Sequence, residues 1–530
     1  MSNSDPELLR SVGGVSAVTL LSRLTGQIRD AVIAALLGTS AAGDSFNIAF
    51  MLPNLFRRLV GEGAMSAAFI PVLMGVRERR GEPHSRRFAN LFFFWLLACL
   101  ALIVALGIAL APFLLAAYRG SFPQQAAHDD LGLTANLTRL MFPYLLFVSL
   151  SAFGQAILNA HGSFALPAFT PILLNLSVVG FGWGARSWFS NPSYALAVAV
   201  VIGGILQFAW QLPPLWRLGY QVGWPGSWRD PDVLEVGRLM LPGTVGAGVY
   251  QINILLSTAL AWRLAEGSVL SLTASNRLVE LVLGVFAVAL ATVLLPTLSR
   301  RAAAGDREGM RSILGENLRT IAFIAIPASF GLILLAEPIV GAVYQWGAFD
   351  ASSTRRTAAA LVAQAIGLTF IASYRVLVQG FYSLRDTRTP VLAAALAVAI
   401  NLTGCLLLPG LFAPELAHAG IALATSIASI VHFTLLYLLL RARLGGMIGP
   451  AGWLAYARIA LAALIMAAAV GGAEQLFGLA PELAKSALAL RLGAVIAIGL
   501  AILLAAGAVL RIPEQRRILS TLRRADPART

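Results

Sequence analysis

The sequence predicts an all-α polytopic membrane protein of about 14 transmembrane helices, arranged as two pseudo-symmetric six-helix lobes plus two C-terminal helices. Three observations carry that prediction. Of 530 residues, 58% are hydrophobic and only 12% charged, with a mean hydropathy of +0.78; a soluble domain carries about 25% charged residues. Apolar runs of roughly 20 residues, enough to cross a bilayer, recur along the whole chain. The basic residues collect in alternate loops, as an inner-membrane topology requires. Nothing between the runs is long enough to fold as a soluble domain.

Taken in order, apolar runs separated by turn signals place helices at 12–38, 44–75, 88–117, 131–158, 166–189, 193–216 and 235–264. They continue at 270–300, 311–343, 353–382, 388–409, 417–441, 452–476 and 486–511. The segment Met1 to Arg10 is short and polar, and the run after it is interrupted by Arg23 without an obvious cleavage site. It reads as an uncleaved first helix rather than a signal peptide. Interior prolines (Pro53, Pro71, Pro143, Pro242, Pro296, Pro327) mark bends of the kind transporters tolerate beside a cavity. An even helix count puts both termini on one side. That side holds 25 of the 39 basic residues, the other holds 6, and 8 fall inside spans. The termini are therefore expected in the cytoplasm.

A faint internal repeat supports two halves. Gln155 matches Gln379 at an offset of 224, Pro71 matches Pro296 at 225, and Asn175 matches Asn401 at 226. An even number of helices per half makes the copies parallel, related by an axis along the membrane normal. The expected division is a first lobe at 1–216, a second at 217–450, two extra helices at 451–511, and a basic cytoplasmic tail at 512–530.

Several function classes are excluded. The single Lys, in Ala484-Lys485-Ser486, lacks the glycine of a phosphate-binding loop. The five histidines show no metal-ligand spacing, and Cys99 and Cys405 both sit in apolar runs. The net charge of +14 follows the loops and builds no aromatic-interleaved basic surface, so no nucleic-acid partner is expected.

The chemistry must reside in polar groups carried at depth. The first span holds Arg23, Arg29 and Asp30; the second holds Asp44, Asn47, Asn54, Arg57, Arg58 and Glu62; the eighth holds Asn276, Arg277 and Glu280. Arg23 lies about 16 Å into its span and Arg57 about 20 Å. At that depth an arginine costs at least ~2.5–3.5 kcal/mol unless it meets water or a partner. Arg58–Glu62 and Arg277–Glu280 are spaced to pair internally. The first two helices together still set Arg23, Arg29, Arg57 and Arg58 against only Asp30, Asp44 and Glu62. A cationic surplus suits an anion, and arginine forks suit phosphate oxygens. Arg23 and Arg29 would stand about 120° apart on an ideal helix, and Gly26 between them permits a local break that would turn both toward one cavity.

These segments carry a resemblance. Ser22-Arg23-Leu-Thr-Gly26-Gln-Ile-Arg29-Asp30, Asp44-Ser-Phe-Asn-Ile-Ala-Phe, Leu52-Pro-Asn-Leu-Phe-Arg57-Arg58 and Gly61-Glu62-Gly63-Ala-Met-Ser-Ala-Ala-Phe-Ile-Pro71 closely resemble the MurJ (MviN) family of lipid II flippases. So do Asn276-Arg277-Leu-Val-Glu280, Leu294-Leu-Pro-Thr-Leu-Ser299, Tyr344-Gln-Trp-Gly-Ala-Phe349 and His418-Ala-Gly420. The resemblance implies the fold of the multidrug/oligosaccharidyl-lipid/polysaccharide exporter superfamily, with two lobes around a central cavity and two extra helices forming a lipid-tail groove. It implies a non-enzymatic, monomeric flippase of the bacterial inner membrane, contacting membrane lipids and moving an undecaprenyl-pyrophosphate-linked glycopeptide outward by alternating access.

Arg23, Arg29, Arg57 and Arg277 match the family's essential cavity arginines, and Asp44 and Glu62 its charged cavity positions. Asp30, Arg58 and Glu280 complete the expected charged set. The sequence departs at Met51, where some members carry Lys, and at Asn276, where some carry an acid, so no coupling ion is implied. No cofactor is expected; membrane potential or an ion gradient would supply the energy. A flippase for another polyprenyl-linked glycan would need the same arginines. A drug exporter of the superfamily would carry acids in the first lobe and twelve helices, and a membrane scaffold would need no deep charges.

Overall fold

The computed structural model describes residues 6–57, 64–120, 131–223, 230–479 and 483–524. These divide by packing into two compact units, one of Met1–Leu270 with Trp346–Ala348, the other of Ser271–Gln345 with Phe349–Thr530.

The first unit contains α1 (Pro6–Leu37), α2 (Ala41–Phe56), α3 (Ala64–Gly120), α4 (Leu131–Ala160), α5 (Ala165–Ser177), α6 (Pro192–Arg217) and α7 (Pro231–Ala261). Their starts are written locally. Ser40, Asn191 and Asp230 each accept a backbone N–H two or three residues on, and proline opens α6 and α7 where its missing N–H costs nothing. α4 is the central element, packed by α2, α3 and α6, while α1 lies against α5 and α7 against α3. Phe69, Phe92 and Phe153 form the heart of this core, with Phe69 ring centroids 5.0 Å from each of the other two.

The second unit continues α8 (Ser268–Ala303) from Ser271 and adds α9 (Arg307–Leu334), α10 (Ala336–Tyr344), α11 (Ala351–Ser383), α12 (Arg388–Leu407) and α13 (Ala417–Leu444). It ends with α14 (Pro450–Phe477), α15 (Lys485–Val509) and α16 (Pro513–Arg524). α13 packs on α11 and α12, α9 on α11 and α14, and α14 on α15. The α11–α13 seam shows how helices approach without a hydrophobic drive. A Cβ on Gly367 would stand 2.7 Å from Ser426, whose hydroxyl accepts the Gly367 N–H at 3.1 Å and donates to Ala363 O at 2.6 Å. Small residues allow the contact and a hydroxyl bonds across it.

The all-helical class is as expected. Among the described residues ten helices are long and apolar enough to cross a membrane. α2 has only 16 residues, and Arg23, Arg29 and Asp30 dilute the hydropathy of α1. The expected second helix, 44–75, is α2 plus the start of α3, and α3 itself turns at Gly81, where φ is 81°. The expected ninth, 311–343, turns at Leu335 into the short α10. The basic tail is helical from Pro513; Glu514 binds Arg319 and Arg517 binds Glu316, both at 2.8 Å, which docks α16 on α9.

One junction ties three helices of the second unit. The Asp386 carboxylate accepts the backbone N–H groups of Arg388 and Thr389, the Thr389 hydroxyl, and an Arg443 guanidinium. The Thr389 hydroxyl first, then its N–H and Arg443, hold this carboxyl well below the usual range. A depressed folded-state pKa contributes stability that is complete above the unfolded value of about 3.9 and is lost as pH falls through the folded value. Asp386→Ala is expected to destabilise the protein by about 1 kcal/mol. In thermal unfolding of detergent-solubilised protein, that deficit should hold constant from about pH 5 to 8 and shrink below about pH 4.

Candidate functional site

Most charged residues at depth find partners, and they do so in different ways. On α1, Arg29 directs Nε (2.9 Å) and one terminal nitrogen (2.7 Å) to a single oxygen of its neighbour Asp30. Its other terminal nitrogen donates to Asn175 Oδ1 of α5 at 3.0 Å. Both charged side chains are largely enclosed, at 14% and 16% exposure. Asn175 is itself buried and donates from Nδ2 to Ser22 O (3.1 Å) and to Thr25 Oγ1 (3.0 Å), stitching α5 to the α1 backbone.

Arg23 lies one and a half turns before Arg29 and differs completely. It is half-buried, and among the described residues it makes no hydrogen bond or ion pair. α1 runs unbroken through Gly26, whose φ is not positive, so the break a glycine permits there is not taken. At 3.6 residues per turn the two arginines keep roughly 120° between them. Among the described residues one is held and one is free, on two faces of a regular helix.

At the end of α2, Arg57 Nε donates to Asn54 Oδ1 at 3.0 Å, while Asn54 is anchored through its Nδ2 to Phe50 O. Arg58 and Glu62 lie outside the described residues. Asp44, expected as a charged cavity group, is instead 3% exposed. Its two oxygens accept the backbone N–H groups of Gly267 (2.8 Å) and Leu270 (2.9 Å), all within the first unit at the start of α8. A carboxylate on the unsatisfied donors of a helix N-terminus is favoured by both hydrogen bonding and the helix dipole.

In the second unit Arg277 and Glu280 form the i,i+3 pair that their spacing allowed, at 3.0 Å, with Asn276 donating to the other Glu280 oxygen at 3.3 Å. The pair is open, with the two side chains 35% and 48% exposed. Arg491, also intramembrane, donates to Phe477 O (2.7 Å) and Gly478 O (3.4 Å), capping the C-terminus of α14. Arg375, on α11, is exposed and has no partner among the described residues.

The structure therefore brings Arg29 and Asp30 together, pairs Arg277 with Glu280, and turns Asp44 to a structural task. Asn175 entered the sequence reading only as a repeat landmark. The signal available was a carboxamide in the apolar run Ile172-Leu-Leu-Asn175-Leu, where an amide is costly unless bonded.

The sequence profile of the family described as lipid II flippase MurJ matches residues 33–491. Asp44, Arg57, Arg277 and Glu280 fall inside that stretch, and Arg23, Arg29 and Asp30 precede it. A protein named lipid II flippase MurJ from Burkholderia cenocepacia is 35% identical over 468 residues, covering 87% of this chain and 89% of its own. A probable lipid II flippase MurJ from Vibrio cholerae is 35% identical over 435 residues, covering 81% and 82%. A solved lipid II flippase MurJ in an inward closed conformation superposes with a TM-score of 0.75 at 25% identity, over 93% of this chain and 98% of that one. An inward-facing multidrug resistance MATE family transporter of the MOP superfamily shares the fold, with a TM-score of 0.66 at 12% identity, over 82% of this chain and 98% of that one.

Two variants separate structural from functional charges. Asp44→Ala leaves two buried N–H donors unpaired and is expected to cost about 3 kcal/mol, seen as a lowered thermal unfolding temperature in detergent. Arg491→Ala should cost about 0.5–1 kcal/mol through the lost helix cap and leave transport intact.

Proposed function

The chain belongs to the lipid II flippase MurJ family, a family of multi-pass membrane transporters rather than catalytic enzymes, and on that premise we propose that it flips lipid II. The cargo is undecaprenyl-pyrophosphate-linked disaccharide-pentapeptide, carried from the cytoplasmic to the periplasmic leaflet of the bacterial inner membrane by alternating access. Both termini lie in the cytoplasm. Residues 1–216 and 217–450 act as the two lobes, and the helices of 451–511 guide the lipid tail. Arg23, Arg29, Arg57 and Arg277 hold the headgroup.

The observation that carries the reading is Arg23, an arginine carried at mid-span depth with no partner among the described residues. Leaving it so costs at least ~2.5–3.5 kcal/mol in a hydrocarbon environment. A water-filled path and an anionic cargo together remove that cost. Pyrophosphate is the matching anion, since its oxygens accept the planar guanidinium fork. The polyprenyl tail can remain in lipid throughout, so only the polar headgroup has to be moved. Membrane potential or an ion gradient drives the cycle.

Complementation of a conditionally flippase-depleted bacterium, with a direct assay for lipid II at the outer leaflet, tests the proposal. The wild-type chain should restore growth and outward lipid II. Arg23→Ala, Arg57→Ala and Arg277→Ala should each reduce translocation at least about tenfold, the effect of losing one charge-assisted contact of 1.5–3 kcal/mol. Undiminished translocation by all three well-expressed variants would overturn the headgroup assignment. Restored transport of a different polyprenyl-linked glycan, with no lipid II delivered, would overturn the cargo.

A further inference from the structure

We propose that Asn175 is a positioning residue that presents the Arg29 guanidinium to the headgroup phosphates; the proposal rests on reading Arg29 as a headgroup contact. The hydrogen bonds around Asn175 leave little freedom. Ser22 O can only accept. The Thr25 hydroxyl commits its own proton to Leu21 O (3.0 Å) or Ser22 O (3.1 Å), so toward Asn175 it too accepts. Arg29 can only donate. The group facing all three must therefore give two N–H bonds and receive one, and a carboxamide of this length does so. The orientation of the amide is determined as well: reversed, its NH2 would face the guanidinium and its oxygen two acceptors.

The consequence falls on Arg29. A guanidinium offers five N–H groups. Two are bound to Asp30 Oδ1 and one to Asn175 Oδ1, which leaves one on each terminal nitrogen. Asp30 alone, adjacent in sequence, anchors one edge of the fork and lets the plane swing about it. The bond from Asn175, 146 residues away on a separate helix, fixes the second edge. With both edges held, the remaining two N–H groups keep one direction, and a bound phosphate need not freeze the side chain. The geometry of α1 admits the arrangement, because Gly26 presents no side chain to the Asn175 amide; a Cβ there would lie 3.6 Å from Nδ2.

A double-mutant cycle on the full chain in lipid nanodiscs, read as the dissociation constant of lipid II, tests this role. Asn175→Ala should weaken binding about tenfold, as expected for one hydrogen bond to a charged group, and Arg29→Ala by at least as much. The double variant should bind no more weakly than Arg29→Ala alone, because Asn175 acts through Arg29. If Asn175→Ala lowers thermal stability sharply, the near-isosteric Asn175→Leu, which keeps the α1–α5 packing, is read in the same cycle with the same expectation. Full additivity, or unchanged binding in a stable Asn175 variant while Arg29→Ala remains weak, overturns the positioning role and leaves the headgroup reading standing. Unchanged binding by Arg29→Ala itself overturns the role of Arg29 on which the proposal rests.

Discussion

A guanidinium carried into the bilayer must meet an acid, a carbonyl or water, and that requirement organises the polar interior of this chain. Arg491 meets the open carbonyls at the end of α14. Arg139 of α4 reaches Ile108 O of α3. Arg277 meets Glu280, and Arg29 meets Asp30 together with Asn175. Each solution uses what the helix geometry already offers: an exposed C-terminus, an i+3 neighbour, an adjacent acid, an amide on a packed helix. Among the described residues Arg23 and Arg375 stand outside this pattern, and Arg23 differs in sharing its helix with the anchored Arg29.

The same constraint shapes the acids. Asp44 offered a natural counter-charge to the arginines when only the sequence was considered, since it shares the second span with Arg57 and Arg58. In the folded chain its two oxygens are occupied by the Gly267 and Leu270 amides. Backbone donors at a helix start cannot be left dry, and no other described side chain is shown bonding to either of those two. The cationic character inferred for the first two helices is thereby sharpened: one of the acids counted against the arginines is committed elsewhere.

How much could be read in advance follows from which signals are local. Hydropathy is summed over a window, so the helical class and the places of most helices were legible from composition. Interruptions inside an apolar run were not: the break at Leu335 occurs within a continuous pattern that a window averages away, whereas the turn at Gly81 falls in the polar stretch left between the helices expected at 44–75 and 88–117. Gly26 shows the limit of a local signal, because a glycine inside an apolar run permits a bend without requiring one, and α1 continues through it where α5 packs along it. Pairing at i,i+3 between Arg277 and Glu280 was legible because helix geometry alone determines it. The Arg29–Asn175 bond was not, because two residues separated by 146 positions meet only once tertiary packing is known.

The contrast between the two α1 arginines bears on how a carrier can bind a polyanion and still release it. A site built from bare guanidinium groups alone would bind pyrophosphate tightly and let go slowly. Arg29 arrives already partly neutralised by Asp30, so its contact with a phosphate replaces no lost ion pair and adds only the bonds of its two remaining N–H groups. In the proposed site Arg23, which has no partner among the described residues, would contribute the stronger Coulombic attraction but would have to order a long side chain to do so, which costs about 2 kcal/mol of rotamer freedom. On the proposed reading, attraction is divided between a pre-oriented group of reduced charge and a fully charged group of reduced order. Neither alone would give a deep trap, and together they would recognise the anion while leaving its departure possible, as turnover demands.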